Sequence, residues 1–240
     1  MEISLRIQKK KAGENALVVA NGVDFPFCWI PPGEFMMGSL RTKRQHKVVL
    51  TDGFWLLATQ VTQKQWFSVT GESPSRFQGE NRPVESVSWF DCQEYVKRLN
   101  ALAPQGTRFC LPTEAEWEYA CRAGTTGDYG GTGDVDEMGW YNKDWDWESM
   151  HTRDVAQKKP NAWGLYDMHG NVDEWCEDRF GRYPKETVVN PTGSLKAPNR
   201  TTRGGSFICG ENDLRSFARS GARPDFRAEI VGLRLAMKSF

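Results

Sequence analysis

The chain reads as an α+β domain, single and rich in loops. Three observations predict this class. Short strand-like runs separated by turn signals fill the first quarter, three helix starts with their own caps follow, and beyond Gly124 the hydrophobic period gives way to Gly, Asp, Trp and Tyr. Two hundred and forty residues could make one large domain or two small ones. No Ser/Gly-rich or Pro-rich linker divides them, so residues 1–240 are taken as one domain, with 1–24 as an N-terminal extension carrying a strand.

The elements follow in order. Ile3-Ser4-Leu5-Arg6-Ile7 alternates as a strand does. Trp29-Ile30 and Glu34-Phe35-Met36-Met37 read as two strands around a Pro-Gly turn, and Val48-Val49-Leu50 with Phe54-Trp55-Leu56-Leu57 as a second antiparallel pair across Thr51-Asp52-Gly53. Thr62 and Gln65 fit a capping box, stapled by Val61 and Trp66 and ended at Gly71. Ser88 with Asp91 opens a second helix, in which Cys92, Tyr95, Val96 and Leu99 share one face. Thr113 and Glu116 repeat the box before Trp117, Ala120 and Cys121. Near the end, Arg203-Gly204-Gly205-Ser206-Phe207 and Gly232-Leu233-Arg234-Leu235-Ala236 read as two short strands. Residues 208–231 between them keep no period and are predicted to run over the surface, where binding usually sits.

Bulk properties narrow the function classes. Lys plus Arg and Asp plus Glu are 31 each, so no overall field draws the chain to nucleic acid or an anionic membrane. No apolar run is long enough to span a bilayer, and the charged first residues lack the apolar region of a signal peptide. Six cysteines are spread without a CxxC, which argues against a zinc knuckle or a disulfide scaffold. Most read as small buried hydrophobes, and Cys209 is the candidate for reactivity.

Taken in order, several blocks resemble the formylglycine-generating-enzyme-like branch of the C-type lectin fold, the sulfatase-modifying-factor domain. They are Pro32-Gly33-Glu34-Phe35-Met36-Met37-Gly38-Ser39, Val61-Thr62 with Trp66, Leu111-Pro112-Thr113-Glu114-Ala115-Glu116-Trp117, residues 161–175, Arg203-Gly204-Gly205-Ser206 and Gly232-Leu233-Arg234. The resemblance implies a C-type-lectin-like fold whose terminal strands meet and whose late loops form the functional face. That fold hosts oxidases, iron-dependent enzymes and binding proteins, so the site must decide between them.

The resemblance to the formylglycine-generating enzymes implies a copper-dependent oxidase with two nearby thiols, since Cu(I) prefers thiolates. Cys209 stands where the first would be, and Leu214 where the second would be. The iron branch implies a histidine cluster, whereas His46, His151 and His169 lie in separate contexts and read as loop or surface residues without orienting partners. No convergent nucleophile, base and electrophile can be assembled, so the expectation is that the chain is not an enzyme and requires no cofactor. The alternative is a metal-dependent oxidase of the same family. For calcium, Asn171, the Val172 carbonyl and Glu174 offer hard oxygen ligands; the same residues would equally cap and brace a turn.

Within the fold the chain most resembles the variable proteins of diversity-generating retroelements. These keep a Gly-Gly-Ser-like start and a Gly-x-Arg end while adenine-directed mutagenesis alters the codons between. An AAC codon changed at its adenines cannot become Lys, Glu, Gln, Met or Trp. From residue 197 to 236 only Glu211 and Glu229 belong to that group, and none of the ten Trp of the chain falls in that interval. The resemblance implies a ligand-binding segment at 203–236. The expected variable side chains are Phe207, Ile208, Cys209, Gly210, Asn212, Phe217, Ser220, Gly221, Ala222, Phe226, Ala228 and Ile230. Their mixture of apolar area and hydrogen-bonding groups suits a macromolecular partner, a protein before any other. A monomer displayed at a cell surface or exported is the matching expectation, with the cytoplasm as the alternative.

Overall fold

The computed structural model describes residues 3–7, 11–42, 45–143, 146, 148 and 150–239. Six strands open the chain: β1 (Ile3–Ile7), β2 (Asn15–Ala20), β3 (Val23–Ile30), β4 (Gly33–Met37), β5 (His46–Leu50) and β6 (Phe54–Leu57). Helices α1 (Gln63–Thr70) and α2 (Trp89–Asn100), strand β7 (Thr107–Cys110), α3 (Glu114–Arg122) and the single turn α4 (Val135–Met138) follow. Then come β8 (Asp173–Arg179), β9 (Val188–Val189), β10 (Arg200–Arg203), β11 (Arg219–Ala222), β12 (Val231–Leu233) and β13 (Ala236–Ser239). They form three sheets, ordered β1-β2-β3-β6-β13-β7, β11-β10-β8-β12 and β4-β5-β9. The fold is the α+β, loop-rich single domain of the C-type-lectin-like, formylglycine-generating-enzyme type.

The three helix starts are local events and fall where the sequence puts them. Thr62, Ser88 and Thr113 each accept a hydrogen bond from the backbone N–H three residues on, and Gln65, Asp91 and Glu116 return it. Gly71 ends α1 in the left-handed conformation, φ 75°. Trp66 of α1 stacks on Tyr95 of α2, centroids 4.7 Å apart, over a core that also holds Trp55, Trp175 and Leu233. A second core gathers around Trp117, Cys121, Leu165 and Met168.

Strand pairing departs from expectation wherever the partner is distant in sequence. Neither expected hairpin forms: β3 pairs with β2 and β6, while β4 pairs with β5 and β5 with β9. Residues 31–32 and 51–53 are corners between sheets. Leu56 and Leu57 are buried on both faces of β6, a demand met in the middle of a sheet and not in an isolated hairpin. Gly53 makes the second corner possible, because a Cβ there would lie 2.4 Å from the Trp29 ring. Strands β1 and β2 and the start of β3 belong to the largest sheet.

The two terminal blocks are likewise redrawn. The strand expected at 203–207 is β10 and ends at Arg203; Gly204 and Gly205 turn the chain away with φ of 99° and 71°. The expected strand 232–236 is two strands, with β12 pairing in parallel with β8 and β13 lying antiparallel to β6 and β7. Residues 208–231 also carry structure of their own, a 3₁₀ turn at Glu211–Leu214 and strand β11. No helix among the described residues is long and apolar enough to cross a membrane.

Candidate ligand-binding face

Three arginines, Arg203 and Arg234 buried and Arg219 half-buried, fix the late segment to the rest of the molecule. Arg203 pairs with Glu118 and donates to the Ser216 carbonyl at 3.0 Å; Arg219 grips both oxygens of Glu114 at 2.6 Å. Arg234 holds Glu174 through Nε and Nη2, and donates to the carbonyls of Leu57 at 2.9 Å and Tyr166 at 2.7 Å. Removing charged groups from water is unfavourable unless they are paired and hydrogen-bonded, and here each guanidinium is. The ion pairs join residues 60 to 105 positions apart, so they act as crosslinks at 203, 219 and 234.

Between these fixed points the chain rises to the surface. Gly170 N–H donates to Gly204 O, Phe207 N–H to Asn171 O, Asp173 N–H to Ile230 O and Ser86 N–H to Ala228 O; Arg227 pairs with Asp91 of α2. The block at 161–175 and the start of α2 therefore brace the segment. Asn212, Ser220 and Phe226 are exposed, while Ile208, Cys209, Gly210, Phe217, Ala222, Ala228 and Ile230 are half-buried.

Two of the expected contact positions do not fit that role. Phe207 is 4% exposed and packs edge-on against Phe77, centroids 5.5 Å apart, so it is a core residue. At Gly221 a Cβ would fall 2.5 Å from the Phe180 ring, so a side chain could enter only if that ring moved. The segment 203–236 is also not solvent-facing throughout: residues 203–207, 214, 216 and 231–236 are buried.

A cavity of about 610 Å³ opens beside the 3₁₀ turn. Gly210, Glu211 and Asn212 line one side; Tyr129, Asp134, Asp136, Tyr141, Asn142 and Lys143 line the other. Tyr129 donates its hydroxyl to the Glu211 carbonyl at 2.9 Å, and Tyr141 to Asp136 Oδ1 at 2.6 Å. Asn142 N–H donates to Cys209 O at 3.0 Å, tying this loop to the late segment. Asp173 lies close by under the glycine turn, accepting from Gly205 N–H at 3.2 Å. Burial pushes its carboxyl up to about 7.

The metal and catalytic readings meet different geometry. The residues of the Asn171 turn do not fit calcium. Asn171 exchanges two side-chain hydrogen bonds with the Arg153 backbone, and Glu174 is committed to Arg234 and Trp117. The Val172 carbonyl accepts from Gln60 Nε2, which also faces the carbonyls of Gly170 and Asp167, so an amide nitrogen stands where a cation would draw those oxygens together. No group of three or more His, Cys, Asp or Glu poised for a metal exists among the described residues. Cys209 is half-buried, with its thiol pushed up by burial and near Ser206 N and Oγ; Leu214 in the second-thiol position is fully buried. Two of the histidines taken for loop residues are buried. His46 lies under Tyr183, and His169 is held by Gly130 N–H at Nε2 and by the Leu214 carbonyl at Nδ1, with burial lowering it to about 4.

The cavity wall at 129–143 was missed in the sequence. Its residues stand about 70 positions before the segment they face, in a stretch whose signal was a loss of period with many Asp and Tyr. The crosslinking arginines left a clearer trace, since Arg234 is a charge between two leucines in a strand-like run.

Residues 24–239 match the sulfatase-modifying factor enzyme 1-like domain. Over 250 residues the chain is 30% identical to the chaperone protein LppX of Paenibacillus barcinonensis, covering 81% of this chain and 86% of that one. It is 33% identical to the formylglycine-generating enzyme of Streptomyces coelicolor over 80% of this chain, and spans 66% of that enzyme's length. Among solved structures, variable protein 1 of Treponema denticola superposes with a TM-score of 0.86 at 26% identity, covering 93% of this chain and 99% of that one.

Proposed function

We propose that this chain, which belongs to the sulfatase-modifying factor enzyme 1-like domain family, is a binding protein whose late segment presents a variable recognition face to a macromolecular partner, a protein. The observation that carries the reading is the division of labour along residues 203–236. Arg203, Leu214, Ser216, Arg219, Leu233 and Arg234 are locked into the scaffold, and the side chains between them reach the surface, Asn212, Ser220 and Phe226 most of all. Such a face can change its residues without changing its frame. The overlay on variable protein 1, extending over nearly the whole of both chains, supports the same reading. It carries with it export or display at a cell or phage surface, and no catalysis.

The test is the DNA beside the gene. A near-identical copy of the segment's coding sequence, with adenines where the codons differ and a reverse transcriptase nearby, is the expected finding; a locus holding neither sinks the reading. One observation favours a second reading, a metal-dependent oxidase: the 33% identity to a formylglycine-generating enzyme. Cys209 is its one thiol in place. Stoichiometric Cu(I) binding that disappears in Cys209→Ser would decide for it.

A further inference from the structure

The cavity beside the 3₁₀ turn is unusual in its charge. Three carboxylates, Asp134, Asp136 and Glu211, line it against one lysine, Lys143, and that lysine is paired with Asp136. Glu211 and Asp134 make no ion pair among the described residues; Asp134 spends Oδ1 on the Asp136 N–H as the cap of α4. Lys158 lies behind Asp136 with its ammonium over the Trp140 ring at 4.4 Å and lines a neighbouring cavity, and Arg215, beside Tyr129, is paired with Asp128. Three carboxylates against one lysine leave the lining of the opening with an excess of negative charge.

Its other features are those of a site. Tyr129 and Tyr141 present rings whose orientation is fixed by their hydroxyl bonds. Asn142 is 1% exposed, and among the described residues neither its Oδ1 nor its Nδ2 has a hydrogen-bond partner, which a buried carboxamide rarely tolerates. Tyr141 is held well above the usual phenol range, by burial first and then by Asp136 and Glu211; the same negative field favours a cation.

We propose that this cavity is a guanidinium pocket that anchors an arginine side chain of the protein partner, an inference that rests on the binding reading above. A planar group with five donors can be shared among Asp134, Glu211 and the Asn142 carboxamide while its face lies on a tyrosine ring; a lysine ammonium, a point charge, uses fewer of these groups. The pocket is also constant. Glu211 cannot arise from an altered AAC codon, and the residues of the facing wall lie outside the segment, whereas Gly210 and Asn212 at the rim are among the expected variable positions. One ligand side chain is held the same way while the surrounding surface changes.

The experiment uses the full chain, ¹⁵N-labelled, titrated with acetyl-Gly-Arg-Gly-amide and with its lysine and citrulline counterparts. The arginine peptide shifts the amides of residues 129–143 and 210–212 saturably, the lysine peptide binds more weakly, and the uncharged citrulline peptide leaves them in place. In Asp134→Asn/Glu211→Gln, which keeps the helix cap and the side-chain sizes, affinity for the arginine peptide falls about tenfold or more. Spectra of the variant that superpose elsewhere show that its fold is intact. Equal binding of the citrulline or lysine peptide, shifts mapped to another face, or an unchanged double variant overturns the pocket. A locus without a template copy would remove the variability and not these shifts, so the two failures are told apart.

Discussion

At the scale of single residues, buried carboxylates decide how the molecule responds to pH. Asp178 caps the start of α3 by accepting Glu114 N–H at 2.8 Å, yet burial, then the neighbouring Glu114, push its carboxyl up to about 8. Its ordinary value is 3.8, so between the two values the folded state keeps a proton that the unfolded state has released. Stability then falls as pH rises through that window. His169 acts in the opposite sense below 6.5, because its folded value near 4 leaves the extra proton on the unfolded chain. From pH 6.5 to 8 the slope therefore belongs to Asp178 and to Asp173, whose value is about 7, and it is downward. Asp178→Asn keeps an oxygen for the Glu114 N–H and cannot ionise. Urea unfolding at pH 6.5 and pH 8 should show a smaller loss of stability in the variant than in the parent; equal losses would show that Asp178 is not the group.

At the scale of elements, what was legible in the sequence is what is local. The three capping boxes name helix starts correctly because donor and acceptor stand three residues apart, and Gly71 stops α1 through its own φ. Strand partners were misread for the converse reason. Whether Phe54 meets Leu50 or Ile30 depends on which neighbour buries both faces of β6, and alternation within a strand is silent about that. The candidate face was half legible: the segment and its Gly-Gly-Ser and Gly-x-Arg ends were visible, but Phe207 looked like a contact residue until Phe77 covered it. The loop at 129–143 gave no periodic signal at all. Packing between elements offers a test at Gly232 in β12. A Cβ there would stand 2.3 Å from the Val84 carbonyl oxygen and 3.1 Å from Val172. Gly232→Ala should push β12 off one neighbour and cost about 1 to 3 kcal/mol, seen as a lower urea midpoint at constant m. A midpoint within error of the parent would mean the strand shifts freely.

At the scale of the whole molecule, frame and surface should respond separately to change. Asn212→Ala, Ser220→Ala and Phe226→Ser touch exposed side chains between the fixed arginines, and each should alter stability by no more than about 0.5 kcal/mol, with the triple variant close to the sum. Calorimetry of the four variants and the parent checks this, and a triple loss well beyond the sum would mean that the face is part of the frame. The same frame bears on how the chain is made. Glu114, Glu118 and Glu174 are translated well before Arg203, Arg219 and Arg234, and β13, which closes the largest sheet between β6 and β7, is translated after nearly everything else. Until those last strands leave the ribosome, Glu114 and Glu174 lack their arginines, Glu118 has only Arg122, and β6 is an open edge. Completion of this domain thus waits for residues 200–239, and a nascent chain stalled before residue 200 should be a substrate for holding chaperones and proteases.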